Sequence, residues 1–364
     1  MVLKRLLLRH LFAKFVILFV FAVFFMYILY TNSQWKPGRL EILALELRIS
    51  AEQKNISWSN SDLIVTNRLI TSNVTKNIFL SNYSRGYQFQ TGQTPFIGCK
   101  VSNCRIVKGN EKDVAFSGSD FDAFLINVHK QRTRWELANR RPDQVFIMFS
   151  HEPPAHVGKM SIFNNYFNWT MTYRSDSDFV FQYGDTIPLK SAPVSEAEIA
   201  TLMKANSSVD LSQGKTKLAL WPVSNCKAES NRQGYVKELS KYIPVDIVSS
   251  SGCGGKNSVS LSSSLCTREH RNSCYDIIEK SYKFYFSFEN AICKDYVTEK
   301  FFNIFNRNIV PVVLGGADYS SIAPRHSYIN ALDYTPRQLA DYLKLLDEDD
   351  NLYAEYFWWK PYYK

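Results

Sequence analysis

From about residue 95 onward the chain alternates short apolar runs with polar loops. FDAFLINV (121–128), QVFIMF (144–149) and FVFQYG (179–184) have the length and composition of strands. A Ser/Lys/Ala-rich stretch at 191–215 separates them from a second series that opens with KLALWPV (217–223). ESNRQGYVKELSKY then reads as helix and VDIVSS (245–250) as strand, which makes a βαβ unit. KFYFSFENAICKDYVTEKFF contains another: a strand at 284–288, a loop, a helix from about 297, then NIVPVVL (308–314) ending in Gly315-Gly316. A late helix begins at TPRQ, where Thr335 can cap, Pro336 suits the first turn and Gln338 completes a capping box. Leu339, Leu343 and Leu346 form its apolar stripe. The pattern predicts two α/β domains, at 95–212 and 213–364, that face each other across a cleft.

The N-terminal pattern differs. Leu11–Tyr30 is apolar apart from Lys14, and about 20 residues at 1.5 Å rise span a bilayer's hydrocarbon layer. The short apolar core and small-residue cleavage site of a removable signal peptide are missing. Lys4, Arg5, Arg9 and Lys14 carry four of the chain's nine net positive charges. They place residues 1–10 in the cytoplasm, 11–30 in the membrane and the body in the lumen. Residues 31–94 are polar, rich in Asn, Ser and Thr, and read as a glycosylated stem. Sequons lie at Asn55, Asn73, Asn82 and Asn206. A fifth, at Asn168, sits between Phe167 and Trp169, which points to packing rather than a glycan.

The seven cysteines all follow the stem. In an oxidising lumen some pair, and the odd count leaves at least one out. No Cys-x-x-Cys or His-x-x-x-His spacing supports zinc. The mildly basic body suits an anionic ligand such as a nucleotide-sugar. No dense Lys/Arg stripe points to nucleic acid.

In open parallel sheets ligands sit beyond the carboxyl ends of the strands. That rule brings Ser224, Asn225 and Arg232 to one rim with Glu289, Asn290, Tyr296, Glu299 and Lys300. Lys300, Arg232 and a helix N-terminus could grip a diphosphate, and Glu299 could accept sugar hydroxyls. The bland alternative is a dipole-compensating Glu beside a surface Lys.

At these residues the chain resembles a known family. FYFSFENAICKDYVTEKFFN is similar to the signature of the α1,3-fucosyltransferases. SHEPPAH (150–156), FNWTMTYRSDSDF (167–179), WPVSNC (221–226) with Arg232, PVVLGG (311–316) and APRHSYI (323–329) extend the likeness in order. VSNC and GCGG resemble the invertebrate and plant branch, which includes enzymes acting on the N-glycan core. The resemblance implies a GT-B fold of two Rossmann-like domains, acceptor side first and donor side second, and a Golgi type II anchor. It also implies inverting transfer of L-fucose from GDP-β-L-fucose to a GlcNAc hydroxyl on a glycan acceptor. Arg232 and Lys300 match the family's phosphate-binding positions; Tyr296 and Glu299 match residues that contact nucleotide or fucose. Family members usually continue into a tail whose Cys-x-x-Cys can bond to cysteines of the first domain, here Cys99 and Cys104. This chain stops at WWKPYYK, which makes a truncated, inactive form an alternative reading.

Inverting transfer needs a base for the acceptor hydroxyl and positive charge at the leaving diphosphate. Glu152 matches the family's Glu in SHEPPAH and is the expected base, with His151 the local rival. Asp120-Phe-Asp122 and Asp176-Ser-Asp178 have the Asp-x-Asp form of a Mn-dependent GT-A transferase. The first precedes a strand and the second reads as a hydrogen-bonded turn. The expectation is therefore no obligatory cofactor, with a divalent ion at most stimulatory. A non-catalytic lumenal glycan-binding protein is the other alternative.

Overall fold

The computed structural model describes residues 74–81, 89–110, 120–129, 131, 133–137, 140–206, 211–249, 252–255, 258–259 and 271–364. The expected membrane span, most of the stem, and Asn55, Asn73 and Asn82 lie outside the described residues. Among the described residues no helix is long and apolar enough to cross a membrane.

Short apolar runs build a first sheet from β1 (Lys76–Ser81), β2 (Cys104–Gly109), β3 (Ala123–Asn127), β4 (Val145–Ser150), β5 (Trp169–Thr172) and β6 (Phe179–Val180). The order is β2-β1-β3-β4-β5-β6, and every pairing is parallel. β1 falls inside the stretch read as stem. Its apolar residues, Ile78, Phe79 and Leu80, are too few to stand out beside two sequons. Phe79 and Leu80 are nonetheless buried, on a strand paired on both sides by β2 and β3. Phe79, Phe121, Phe124, Phe146 and Tyr166 pack edge to face on one side. Burying one such ring stabilises by about 2–3 kcal/mol.

Helix α1 (Glu196–Asn206) lies in the stretch read only as a polar separator, and Asn206 closes it. The second sheet follows: β7 (Lys217–Pro222), α2 (Arg232–Leu239), β8 (Val245–Val248), α3 (Arg271–Ser281), β9 (Tyr282–Phe288), α4 (Glu299–Phe305), β10 (Val310–Leu314) and β11 (Ile329–Asn330). Its order is β11-β10-β9-β7-β8, again parallel throughout. Both expected βαβ units are present. β9 is the middle strand and buries all seven residues, as a strand covered by helices on both faces must. Its one charge, Lys283, reaches outward to Asp350 (3.0 Å) and Asp347 (3.1 Å).

Helix α5 (Pro336–Glu348) carries the expected capping box, and Leu339, Leu343 and Leu346 pack with α2 and the sheet. After α6 (Asp350–Ala354) the chain returns toward the first half. Trp359 stacks on Phe305 at 4.1 Å, and Lys364 and Ile187 exchange backbone hydrogen bonds of 2.8 and 3.0 Å.

Candidate functional site

Parallel pairing puts the carboxyl ends of neighbouring strands together, so loops after β4, β7, β9 and β10 form the rims. β4 ends at Ser150, whose hydroxyl donates to the carbonyl of Glu152 (3.0 Å) and turns the chain sharply. Glu152 is thereby set at the rim, with its side chain one-third exposed.

The two halves meet here through His156, four residues on. Its Nδ1 lies 3.4 Å from Glu152 Oε2, and its Nε2 donates to Glu229 Oε2 at 2.8 Å. Asn290 Nδ2 also approaches His156 Nδ1, at 3.2 Å. Glu229 precedes α2, and Asn290 follows β9. A base candidate from the first sheet is thus held against two loops of the second. Glu152 also bears electrostatically on the Tyr173 and Tyr296 hydroxyls. Burial first, and nearby acids after it, push both phenols up, Tyr173 to about 12.

His151, the rival base, occupies a different setting. It is buried, stacked between Phe181 (4.4 Å) and Tyr183 (4.5 Å), and its Nε2 donates to the Phe181 carbonyl at 2.6 Å. Burial pushes its pKa down to about 4, so it stays neutral and serves packing.

On the donor side, β9 hands over to Glu289, which has no solvent exposure. Its Oε1 accepts from the Thr298 N–H (2.8 Å) and hydroxyl (2.9 Å), and its Oε2 lies 3.3 Å from Lys300 Nζ. Glu289 therefore faces inward and organises the residues at the start of α4. Lys300 also touches Thr298 Oγ1 (2.8 Å) and Glu299 Oε1 (3.2 Å). Burial pulls its ammonium pKa down, but Glu289 and Glu299 outweigh that and raise it. Glu299, half-exposed, stays beside Lys300 at the rim.

Arg232 is buried at the start of α2. It donates to the Phe288 carbonyl (2.5 Å) and the Asn225 carbonyl (3.4 Å), beside the Trp221 ring. Its Nε is buried without a hydrogen-bond partner among the described residues. Ser224 and Asn225 lie exposed just beyond β7, where the Cys226–Cys253 disulfide ties their loop to the one after β8. Cys274 is also disulfide-bonded; Cys99, Cys104 and Cys293 are free thiols. Tyr296 is buried, its ring 4.9 Å from that of Tyr173.

The structure thus gathers Glu152 with Asn290, Glu289 with Glu299 and Lys300, and Arg232 with Asn225. Sequence reasoning missed His156, Glu229 and Thr298. His156 lay within SHEPPAH at i+4 from Glu152, a spacing that could have marked it.

The carboxylate pairs are used otherwise. Asp122 holds β1, accepting from Lys76 Nζ and the Asn77 N–H, each at 2.8 Å. Asp178 caps Thr170 (2.8 Å), and Asp176 pairs with Arg174, whose hydrogen bonds hold its pKa near 2. Asn168 Oδ1 accepts from the Phe146 N–H at 2.8 Å and so locks β4 to β5.

Two all-parallel sheets, with Glu152 on a carboxyl-end loop of the first and Arg232 and Lys300 beyond strands of the second, define a GT-B-like α/β class of protein. Residues 73–184 match the family profile "Fucosyltransferase, N-terminal", and residues 212–364 match "Glycosyltransferase family 10 (fucosyltransferase) C-term". The chain belongs to glycosyltransferase family 10. It is 36% identical over 299 residues to Drosophila melanogaster glycoprotein 3-alpha-L-fucosyltransferase A, covering 78% of this chain and 53% of that protein. It is 37% identical to Drosophila alpha-(1,3)-fucosyltransferase C, covering 73% of this chain and 62% of that protein. For Caenorhabditis elegans alpha-(1,3)-fucosyltransferase fut-1 the figures are 31%, 73% and 56%. The chain thus spans between half and two-thirds of these relatives' length. A solved α1,3-fucosyltransferase structure with GDP-fucose superposes with a TM-score of 0.50 at 15% identity, over 84% of this chain and 86% of that one. That likeness concerns the fold.

Proposed function

We propose that this protein transfers L-fucose from GDP-β-L-fucose to a GlcNAc hydroxyl in α1,3 linkage, with inversion and with Glu152 as general base. The observation that carries the reading is the placement of Glu152 at the end of β4, tied through His156 to Asn290 and Glu229 of the opposite half. In an inverting transfer the acceptor oxygen attacks the anomeric carbon from the side opposite the leaving diphosphate, so the base that takes its proton comes from the sheet across the cleft.

Arg232 and Lys300 supply the positive charge that the leaving diphosphate needs. Ser224, Asn225 and Glu299 line the same rim, with Tyr296 packed behind it. Glu289 acts through Lys300 and Thr298. The two side-chain cations take the part that a divalent ion plays in GT-A transferases, so catalysis needs no obligatory metal. N-glycans of glycoproteins are the acceptors to test first. This rests on the VSNC and GCGG stretches and on the Drosophila relative named a glycoprotein fucosyltransferase. Residues 11–30 anchor the protein in the Golgi membrane with residues 95–212 and 213–364 lumenal, and Asn55, Asn73, Asn82 and Asn206 accept glycans.

The test is Glu152→Gln assayed with GDP-fucose and core N-glycan, LacNAc and LacdiNAc acceptors. Turnover should fall by roughly 10²-fold or more with GDP binding retained. Wild-type turnover in this variant would remove Glu152 from the role.

A further inference from the structure

His156 has two hydrogen-bonding nitrogens and three partners. Glu229 Oε2 can only accept, so Nε2 carries a proton. The remaining nitrogen, Nδ1, faces both Asn290 Nδ2 at 3.2 Å and Glu152 Oε2 at 3.4 Å. These two contacts exclude each other. A bare Nδ1 accepts from the Asn290 amide, whereas a protonated Nδ1 donates to the Glu152 carboxylate. The ring is therefore built for two protonation states, each with a partner waiting.

With Glu152 as base, the acceptor covers its one-third exposed side chain, and the way out for a proton runs through His156. The His156 side chain is 18% exposed, and Glu229 beyond it is 55% exposed. Glu229 is held in the charged form, its pKa lowered by its backbone hydrogen bond and then by His156. The charged and titratable groups around this chain of contacts are Glu152 and Glu229 on the two sides of the ring, with the Tyr173 and Tyr296 hydroxyls facing Glu152.

We infer that His156 and Glu229 form a proton relay that discharges Glu152 after each transfer. The inference rests on the assignment of Glu152 as base. In the step, the acceptor O–H breaks as its oxygen bonds the fucose anomeric carbon. The bond from that carbon to the phosphate oxygen breaks, and GDP leaves with the electron pair. Glu152 takes the hydroxyl proton and passes it to His156 Nδ1. The resulting imidazolium sits between two carboxylates and loses a proton to water beside Glu229. That loss leaves Nε2 bare and the transferred proton on Nδ1. A proton returned by water to Nε2 and one released from Nδ1 to water restore the resting tautomer, whose bare Nδ1 Asn290 holds, which couples the relay to the loop that follows β9.

The experiment uses the full chain and four variants: Glu152→Gln, His156→Ala, His156→Gln and Glu229→Gln. His156→Ala should lower kcat by roughly 10²-fold, the scale of general acid–base loss, with KM for GDP-fucose within about threefold of wild type. Added imidazole should recover at least about tenfold of that loss, because a free base can carry the proton. His156→Gln keeps hydrogen-bonding capacity but cannot carry a proton, so it should stay slow. Glu229→Gln should lower kcat about tenfold. Wild-type kcat in His156→Gln, or no imidazole recovery in His156→Ala, would overturn the relay. Thermal midpoints and GDP titration of both His156 variants separate these outcomes from misfolding. An inactive Glu152→Gln beside a fully active His156→Gln sinks the relay alone; a fully active Glu152→Gln sinks the base assignment itself.

Discussion

The ammonium of Lys300 lies 3.3 Å from Oε2 of Glu289, a carboxylate with no solvent exposure at all. Burial raises the pKa of Glu289, and the Lys300 charge is the largest influence acting the other way. Each charge therefore depends on the other, and Lys300 is the one that reaches the rim.

Removing Lys300 should act in two separable ways. Lys300→Ala strands a buried carboxylate and should cost about 3–5 kcal/mol of stability. Adding Glu289→Gln should recover much of that loss, since the pair is coupled. GDP affinity should stay low in both single Lys300→Ala and the double variant, by about 1.5–3 kcal/mol for the lost charge-assisted bond. Urea unfolding and GDP calorimetry on the three proteins read the two effects. GDP affinity that returned to wild type in the double variant would show that Lys300 only balances Glu289.

His151 makes stability pH-dependent on the acid side. Its folded pKa, near 4, lies below the unfolded value of about 6.5. The unfolded chain therefore binds the proton first, and stability is full above pH 6.5 and falls toward pH 4. At pH 5 this residue alone should cost on the order of 2 kcal/mol. His151→Phe keeps the stack between Phe181 and Tyr183 and should flatten that part of the profile. An unchanged slope from pH 7 to 5 in the variant would contradict the assignment.

Gly316 is needed for a close approach of two loops. A Cβ there would stand 2.8 Å from both the N and O of Cys293. Gly316→Ala should push back the loop that leads to Tyr296, cost about 1–3 kcal/mol and weaken GDP binding with it. Thermal melts with and without GDP measure both. A variant with the wild-type midpoint would mean that the loop yields without strain.

Activity should survive exhaustive chelation, because Arg232 and Lys300 provide the cationic charge in the proposed mechanism. Complete loss that Mn²⁺ restores would reverse this.

The strands of the second sheet were readable because β7, β9 and β10 are buried on both faces and so form unbroken apolar runs. β1 was not, since three apolar residues among sequons carry no periodicity. Helix α1 was missed for a related reason. Its apolar positions are spread thinly among Glu, Lys and Thr, and only packing against the C-terminal segment defines its buried face. Among site residues, Glu152 and Lys300 could be placed by the strand-end rule. The inward turn of Glu289 could not, since it depends on Thr298 and Lys300 closing around it in three dimensions. His156 takes its position from contacts with Glu229 and Asn290, which are 73 and 134 residues away in the chain.

A second cross-link between the halves joins the turn after β5 to the loop before α4. Asp295 Oδ2 accepts from the Ser175 N–H (3.1 Å) and hydroxyl (2.7 Å). Asp295 itself has φ of 62°, in the left-handed region, where Asp and Asn are tolerated far better than Ala. Asp295→Asn keeps that tolerance and one acceptor oxygen, and loses only the charge. Asp295→Ala loses both hydrogen bonds and adds about 1–2 kcal/mol of backbone strain. The Ala variant should therefore be less stable than the Asn variant by about 2–4 kcal/mol, once the lost bonds are included. Ser175→Ala, which keeps the backbone donor, should cost only about 1 kcal/mol. Because this contact holds the Tyr296 loop against the half that carries Glu152, Asp295→Ala should also raise KM for GDP-fucose more than it lowers kcat. Urea unfolding and steady-state kinetics on the three variants decide the matter. Equal stability of the Ala and Asn variants would mean that the left-handed conformation relaxes freely and that the cross-link does not hold the loop.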